Sequence, residues 1–441
     1  MELARLKELL RENGVVGAGG AGFPTYAKLT DKADTVILNC AECEPLLKLH
    51  RQVLELYAEE ILSAFTEVLN ATGAGRGIVA VKAHYTKTVE ALESVIGGYP
   101  ELRIFRLESV YPAGDEIILI KTVTGRTVNP GELPASVGVT VINVETMYNI
   151  WRSLNGNPVT DKFVTVAGEV KNPLTVCVPI GTKLKELIEF AGGLTSDNCA
   201  FINGGPMMGK TVNLNETVTK TTNAVLALPE NSPAVTSKRV SPKISLLRAM
   251  SVCCQCHTCT DLCSRHVAGY PVEPHMVMRV LSNGGKGDIQ SIAGSMYCSG
   301  CGLCQNYSCP QGLSPKTLID EIKAEAKRNG IKPVKGLKAL EHTENEEYRK
   351  VSVERLTMRL GINKYDTEAP VTGGFETGTV KISLLQHIGV PAKACVTAGE
   401  AVKKGQVIAK AAEGALSVNI HASIDGKITE MNDKYIVINR T

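Results

Sequence analysis

Cys253-Cys254-Gln255-Cys256-His257-Thr258-Cys259-Thr260-Asp261-Leu262-Cys263 and Cys298-Ser299-Gly300-Cys301-Gly302-Leu303-Cys304-Gln305-Asn306-Tyr307-Ser308-Cys309-Pro310 hold nine of the fourteen cysteines of this 441-residue chain, and all of these but Cys254 stand at ligand spacing. In each run three thiols stand at i, i+3 and i+6, so one short loop can reach three irons of a single cubane. Two structural zinc sites are the plain alternative, but they would need only paired cysteines and leave the third of each triplet without use. The spacing predicts two four-iron four-sulfur clusters and, with them, one-electron transfer.

A fourth ligand must come from elsewhere, and in two-cluster ferredoxins the last cysteine of each run serves the other cluster. Cys253, Cys256, Cys259 and Cys309 are thereby assigned to one cluster, and Cys298, Cys301, Cys304 and Cys263 to its neighbour. Two details depart from the ferredoxin pattern. Ser264 stands where proline usually follows the first run, and the second run carries one extra residue before Cys309. The other cysteines, Cys40, Cys43, Cys177, Cys199, Cys254 and Cys395, lack the regularity of a disulfide framework and are expected as free thiols in a reducing compartment.

Hydrophobic residues make up 44% and charged residues 21% of the chain, as in a globular protein. Its 48 basic and 45 acidic residues leave a net charge of +3 with no basic block to track a phosphate backbone, which argues against nucleic acid as a partner. No stretch reaches the about 18 uninterrupted apolar residues of a membrane helix, and Met1 to Asn13 is charged and amphipathic, unlike a signal peptide. A cytoplasmic protein is expected.

Leu3, Leu6 and Leu10 share one helical face that stops at Asn13-Gly14. A glycine-rich loop, a strand at Thr35 to Asn39, one long helix over Arg51 to Leu69, a strand at Gly77 to Val81 and a helix near Thr86 to Ile96 follow, predicting an α/β domain over residues 1–155. Alternating runs at Phe163 to Ala167 and Leu174 to Val178, then a helix at Lys183 to Ala191, predict an α+β module of the β-grasp kind over 160–230. The cysteine region occupies 240–330. Residues 331–378 read as a linker arm with one helix near Val353 to Leu360, and the strand-turn signals of 379–441 predict a small all-β barrel.

Gly17-Ala18-Gly19-Gly20-Ala21-Gly22-Phe23-Pro24 fits G-x-G-x-x-G, in which bare backbone can approach a phosphate. A Rossmann loop would follow a strand and open a helix; this one follows a helix and runs into Phe23-Pro24-Thr25, so a phosphate cradle of another kind is expected. Together with Lys28, the segment Asn39-Cys40-Ala41-Glu42-Cys43-Glu44-Pro45, the stretch Tyr111-Pro112-Ala113-Gly114-Asp115-Glu116 and Asn143-Val144-Glu145-Thr146, it resembles the NADH-oxidising flavoprotein subunit of respiratory complex I. That resemblance implies FMN held by Gly17, Gly19, Gly20, Gly22, Lys28, Asn39, Gly114 and Asn143, with Tyr111 and Asp115 in the same cofactor-binding set. NADH would lie over the flavin, with Phe23 near the adenine and Glu42, Glu44 and Glu116 near the ribose and nicotinamide. Glycine amides and a lysine complement a phosphate, and carboxylates accept bonds from ribose hydroxyls. Ala41 departs from the aspartate usual in complex I, removing one flavin contact.

Ala41-Glu42-Cys43-Glu44-Pro45, Asn203-Gly204-Gly205-Pro206-Met207-Met208-Gly209 and Gln386-His387-Ile388-Gly389 resemble the C subunits of Rnf complexes and the cobalamin reductases of propanediol-utilising microcompartments. In Rnf C subunits the barrel lies at the amino terminus; here its signature lies at the carboxyl end, as in the reductases, and Thr219-Lys220-Thr221-Thr222 fits that branch too. The resemblance implies a multidomain chain: a complex I flavoprotein-like FMN/NADH domain, a β-grasp SLBB module, a two-cluster ferredoxin-like helical domain and a barrel-sandwich domain. It further implies NADH as electron donor and a corrinoid or a redox partner protein as acceptor. The setting would be the cytoplasm, a microcompartment or a larger reductase complex. The alternative is an Rnf-C-like input subunit for another reductase, such as a methylenetetrahydrofolate reductase, or for a membrane assembly.

Other signals weigh less. Gly204-x4-Gly209-Lys210-Thr211 matches a Walker A loop, but no helix follows to aim its amino end at phosphates. Cys40 and Cys43 read as small buried fillers, and His257 and His266 as neighbours of the clusters rather than ligands. The terminal barrel has no lysine in the hairpin position of a biotinyl or lipoyl carrier, which leaves docking as its expected role.

Overall fold

The computed structural model describes residues 1–340 and 346–441; five residues of the expected linker arm lie outside these. Four parallel strands form the first sheet, in the order Leu102–Leu107, Arg76–Lys82, Thr35–Cys40, Val139–Asn143. Val36, Ile37 and Leu38 are fully buried, as expected where helices cover both faces of a parallel sheet. One face packs on the helices Leu49–Leu56, Ala58–Thr72 and Val144–Leu154; the other packs on Glu116–Thr124 and on Tyr270 and Val272 of the cysteine region. The single helix expected over Arg51 to Leu69 is two, broken at Tyr57, whose φ of -128° and ψ of 36° leave the helical region.

A six-stranded mixed sheet follows, in the order Val371–Thr372, Leu174–Pro179, Asp161–Gly168, Ala224–Pro229, Cys199–Asn203, Lys210–Val212. Its first strand belongs to the expected arm, as does Val351–Ser352, which pairs with Val110–Tyr111. The arm thus stitches the two α/β regions together. The buried Glu145–Lys162 ion pair does the same from within: Lys162 Nζ also donates to Asn223 Oδ1 (2.9 Å) and the Phe163 carbonyl (3.1 Å), so its charge has partners in place of water.

In the cysteine region the helices Pro242–Val252, Pro274–Ser282 and Pro315–Arg328 pack around Ala249, Met278, Leu313 and Leu318. The residue inserted before Cys309 is absorbed by a π turn over Cys304–Ser308, closed by Ser308 Oγ donating to the Leu303 carbonyl at 3.0 Å. The last segment folds into two small sheets, Thr379–Ser383 with Tyr435–Asn439, Gly426–Met431 and Ala401–Val402, and Lys393–Ala394 with Val407–Lys410 and Ile420–His421.

Candidate functional site

The chain runs from Thr35–Cys40 outward to one edge of the parallel sheet and returns to add Val139–Asn143 on the opposite side. Such a reversal opens a crevice at the carboxyl ends of the two strands, where ligands of α/β proteins bind. Asn39 and Asn143 are paired across that crevice. Asn143 Oδ1 caps the helix Val144–Leu154 by accepting from the amides of Glu145 (3.0 Å) and Thr146 (3.4 Å). Asn39 Nδ2 donates to the Gly114 carbonyl (3.1 Å), and the Ala41 amide donates to Asn39 Oδ1 (3.0 Å).

The glycine loop closes over this crevice, its Ala18 amide donating to Thr146 Oγ1 at 2.9 Å. Gly19 packs so closely that a Cβ there would fall 2.4 Å from Asn143 Nδ2, whereas a Cβ at Gly20 would meet no protein atom within 4 Å. Beneath the loop lies a cavity of about 470 Å³ lined by Gly17, Gly19, Gly20, Gly22, Phe23, Lys28, Asn39, Glu116 and Asn143, a volume suited to a small cofactor. Lys28 Nζ donates to Glu116 Oε1 (2.5 Å) and the Val141 carbonyl (2.8 Å), which leaves one of its three N–H bonds for an anion.

A second cavity of about 800 Å³ shares Gly19, Gly20, Ala21, Asn39 and Asn143 with the first and extends past Gly114 to Ser299 and Cys301. One continuous space therefore joins the glycine loop to the cysteine region. Its far wall is the Asn203–Gly209 loop. Lys210 opens a strand, so the Walker-like pattern lacks the helix of an ATP site, in line with its sequence context.

Four residues expected at the cofactor also have partners within the protein, and three of them, Glu42, Glu44 and Asp115, line the second cavity. Glu42, at φ 36°, has its carboxylate under the helix Leu49–Leu56, accepting from the His50 amide at 2.7 Å. Glu44 accepts from the amides of Met207 (2.9 Å) and Met208 (2.8 Å), and burial raises the pKa of both carboxyls. Asp115 caps the helix Glu116–Thr124 and receives a forked ion pair from Arg265 at 2.8 and 2.9 Å. Tyr111 is buried and donates to the Cys301 carbonyl at 2.7 Å. The motif positions are occupied as expected, but these side chains fasten the cavity wall and the cysteine region to the sheet. Glu116 is the expected carboxylate left at the first cavity.

The thiols group across the two runs. Cys253, Cys256, Cys259 and Cys309 ring a small space of about 20 Å³. Burial pushes the Cys259 thiol up to about 12, and neighbouring Cys309, Cys256 and Cys253 add to the rise. Cys263 is likewise raised by burial and then by Cys301 and Cys298, and Cys304 is raised by burial and then by Cys298, Cys301, Cys263 and Cys259. Cys40 is fully buried and Cys43, its thiol raised to about 11 by burial, lies among apolar neighbours. His257 is held by Asp261 at 2.9 Å.

Four family models match the chain: the Nuo51 FMN-binding domain over residues 10–152, the SLBB domain over 163–211, the 4Fe-4S dicluster domain over 252–314 and the RnfC barrel sandwich hybrid domain over 360–440. Proteins named cobalamin reductase PduS from Citrobacter freundii and Salmonella typhimurium are 39% and 40% identical to it, over 99% of this chain and 96% of theirs. The chain belongs to the PduS family. The C subunit of a Na(+)-translocating ferredoxin:NAD(+) oxidoreductase complex from Acetobacterium woodii is 35% identical, over 60% of this chain and 59% of that protein. Among solved structures, a chain of an NAD+-reducing [NiFe]-hydrogenase shares the fold, with a TM-score of 0.50 at 20% identity; the match covers 77% of this chain and 65% of that one.

This PduS-family chain is therefore an NADH-linked flavo-iron–sulfur oxidoreductase with FMN and two four-iron clusters as cofactors. The residues fit those groups. The glycine loop leaves Cβ-free space at Gly20, and Cys253, Cys256, Cys259 and Cys309 line one small space between the two cysteine runs. Among the described residues no helix is long and apolar enough to cross a membrane.

The barrel also packs against the glycine loop. Its Ile388 amide donates to the Gly22 carbonyl at 3.2 Å, and a Cβ at Gly22 (φ 73°) would fall 3.1 Å from the Gln386 carbonyl oxygen and 2.9 Å from Thr221 Cγ2. Lys220 is buried behind the loop, with Nζ donating to the carbonyls of Gly14 (2.6 Å) and Asn419 (3.3 Å); burial without an acidic partner brings its pKa down to about 7. Gln386 Oε1 accepts from the Lys220 amide at 3.0 Å. The two signatures converge on the back of the glycine loop. Arg265 and His50, whose Nε2 lies 3.2 Å from Asn143 Nδ2, complete the site without having been singled out in the sequence.

Proposed function

We propose that the glycine loop, Lys28, Asn39, Gly114 and Asn143 hold FMN, that Phe23 and Glu116 face NADH, and that the acceptor is a corrinoid. When bound, FMN supplies the exchange between the two-electron chemistry of NADH and the one-electron chemistry of the clusters. The chain's own residues do the rest: the amides of the glycine loop and the free N–H of Lys28 bind the phosphate, and Asn143, fixed by capping its helix, orients the ring edge. Glu116 accepts from a ribose hydroxyl and disfavours a 2'-phosphate there.

The observation that carries this reading is the continuous space with Gly19 and Asn143 at one end and Cys301 at the other. Crossed ligation, with Cys309 serving the first run and Cys263 the second, goes with it. For the acceptor, the support is a match to cobalamin reductases along 99% of the chain, against 60% for the Rnf C subunit. Anaerobically purified protein should reduce cob(III)alamin with NADH at a rate that scales with enzyme. Activity confined to artificial dyes would transfer the reading to an input subunit for another reductase. The cytoplasm or a microcompartment is the proposed setting.

A further inference from the structure

The two cluster sites differ in exposure. Of the second-run set Cys263, Cys301 and Cys304 are buried and Cys298 is half-buried, with Cys301 facing the flavin-side cavity; of the first-run set Cys309 is buried, Cys253 and Cys259 are half-buried and Cys256 is exposed. Tunnelling falls off steeply with distance, so the cluster of the first run is the one that a partner can approach.

Directly before it, the helix Pro242–Val252 buries Ser245 and Ala249 and turns Ile244, Leu247 and Met250 outward, 54%, 54% and 56% exposed, with Val252 at its end 48% exposed. An apolar stripe of this kind, contiguous with an exposed redox ligand, has no partner among the described residues. Its charge is one-sided. Residues 231–260 contain four cations, Lys238, Arg239, Lys243 and Arg248, and no acid. Lys238 is directed to the Met207 carbonyl and Arg239 to Glu230, while Lys243 and Arg248 stand exposed on the stripe's own helix. The carboxylates of the neighbouring helix Pro315–Arg328 are already paired: Asp320 with Lys316, and Glu321 and Glu325 with Arg328.

Resting on the electron-transfer reading above, we infer that this helix face is the dock for an acidic redox protein, whose carboxylates meet Lys243 and Arg248 while an apolar patch covers Leu247 and Met250. One electron leaves the first-run cluster, which is reoxidised, and arrives at the partner's redox centre; no bond or proton moves. Complementary charge steers such an encounter and makes it sensitive to salt.

The probe is flavodoxin, an acidic redox protein, and the primary readout is its binding to the oxidised full-length holoprotein at several salt concentrations. The proposal expects binding that weakens as salt rises, and about tenfold or greater weakening in both Lys243→Glu/Arg248→Glu and Leu247→Asp/Met250→Asp. All four side chains are exposed, so both variants should keep FMN, iron and NADH-dependent cluster bleaching. Bleaching without any acceptor reports on the electron-transfer reading, and binding reports on the surface. Absence of flavodoxin binding, binding unchanged in the variants, or a wild-type dimer or vesicle association that Leu247→Asp/Met250→Asp abolishes would overturn the assignment.

Discussion

Gly20→Val should purify folded, with both clusters in place, and yet retain less than about a tenth of the wild-type flavin. No protein atom lies within 4 Å of a Cβ at this position, so the chain itself tolerates the side chain. The new methyl groups would instead project into the space shared by the two cavities. Gly19→Val provides the contrast. Its Cβ would strike Asn143, whose Oδ1 is committed to capping the helix Val144–Leu154, so flavin loss should come with a loss of about 1 kcal/mol or more of stability from the disturbed cap. Flavin content after desalting, with circular dichroism and thermal melting, separates the two. Full flavin in Gly20→Val would mean that the loop does not face the cofactor.

Cys309→Ser should deplete the cluster of the other run. Counted by sequence, Cys309 belongs with Cys298, Cys301 and Cys304; in the fold it faces Cys253, Cys256 and Cys259 across a space of about 20 Å³. Serine is a poor ligand for iron in this setting, so about four of the roughly eight irons of two cubanes should be lost. The surviving spectrum should be that of the buried cluster, whose proposed ligands are Cys298, Cys301, Cys304 and Cys263. Cys263→Ser should give the complementary loss. Iron analysis with electron paramagnetic resonance of the reduced variants decides the matter, and loss of the same cluster in Cys309→Ser and Cys304→Ser would contradict crossed ligation.

The cysteine spacing, two of the four parallel strands and the glycine loop were legible because each is a local pattern: thiols three apart, apolar runs such as Val36-Ile37-Leu38, bare backbone at Gly17 to Gly22. What escaped was of longer range or lower contrast. Tyr57 breaks a helix with neither glycine nor proline to announce it. Val351–Ser352 and Val371–Thr372 are too short to show alternation. The strand Leu102–Leu107 did carry a signal, since Arg103 and Arg106 interrupt apolar residues at an exposed edge. Within the site, a motif fixes which residue types recur without saying whether a side chain faces a cofactor or another domain. Glu44 and Asp115 illustrate this, because their partners Met207, Met208 and Arg265 lie about 150 residues away or more in sequence. The grip of Gln386 and Lys220 on the back of the glycine loop is likewise a contact between distant segments, invisible to any local reading.

The central claim is that the flavin cleft and the thiol-ringed sites form one path. It is tested most directly by mixing the anaerobic, oxidised protein with NADH in a stopped-flow spectrometer and following flavin and cluster absorbance together, without an added acceptor. The account predicts that the clusters of the wild type bleach along with the flavin and that Gly20→Val, carrying its iron but not its flavin, leaves them oxidised. Flavin reduction in the wild type with clusters that stay oxidised, or clusters that bleach equally well in the flavin-free variant, would contradict it.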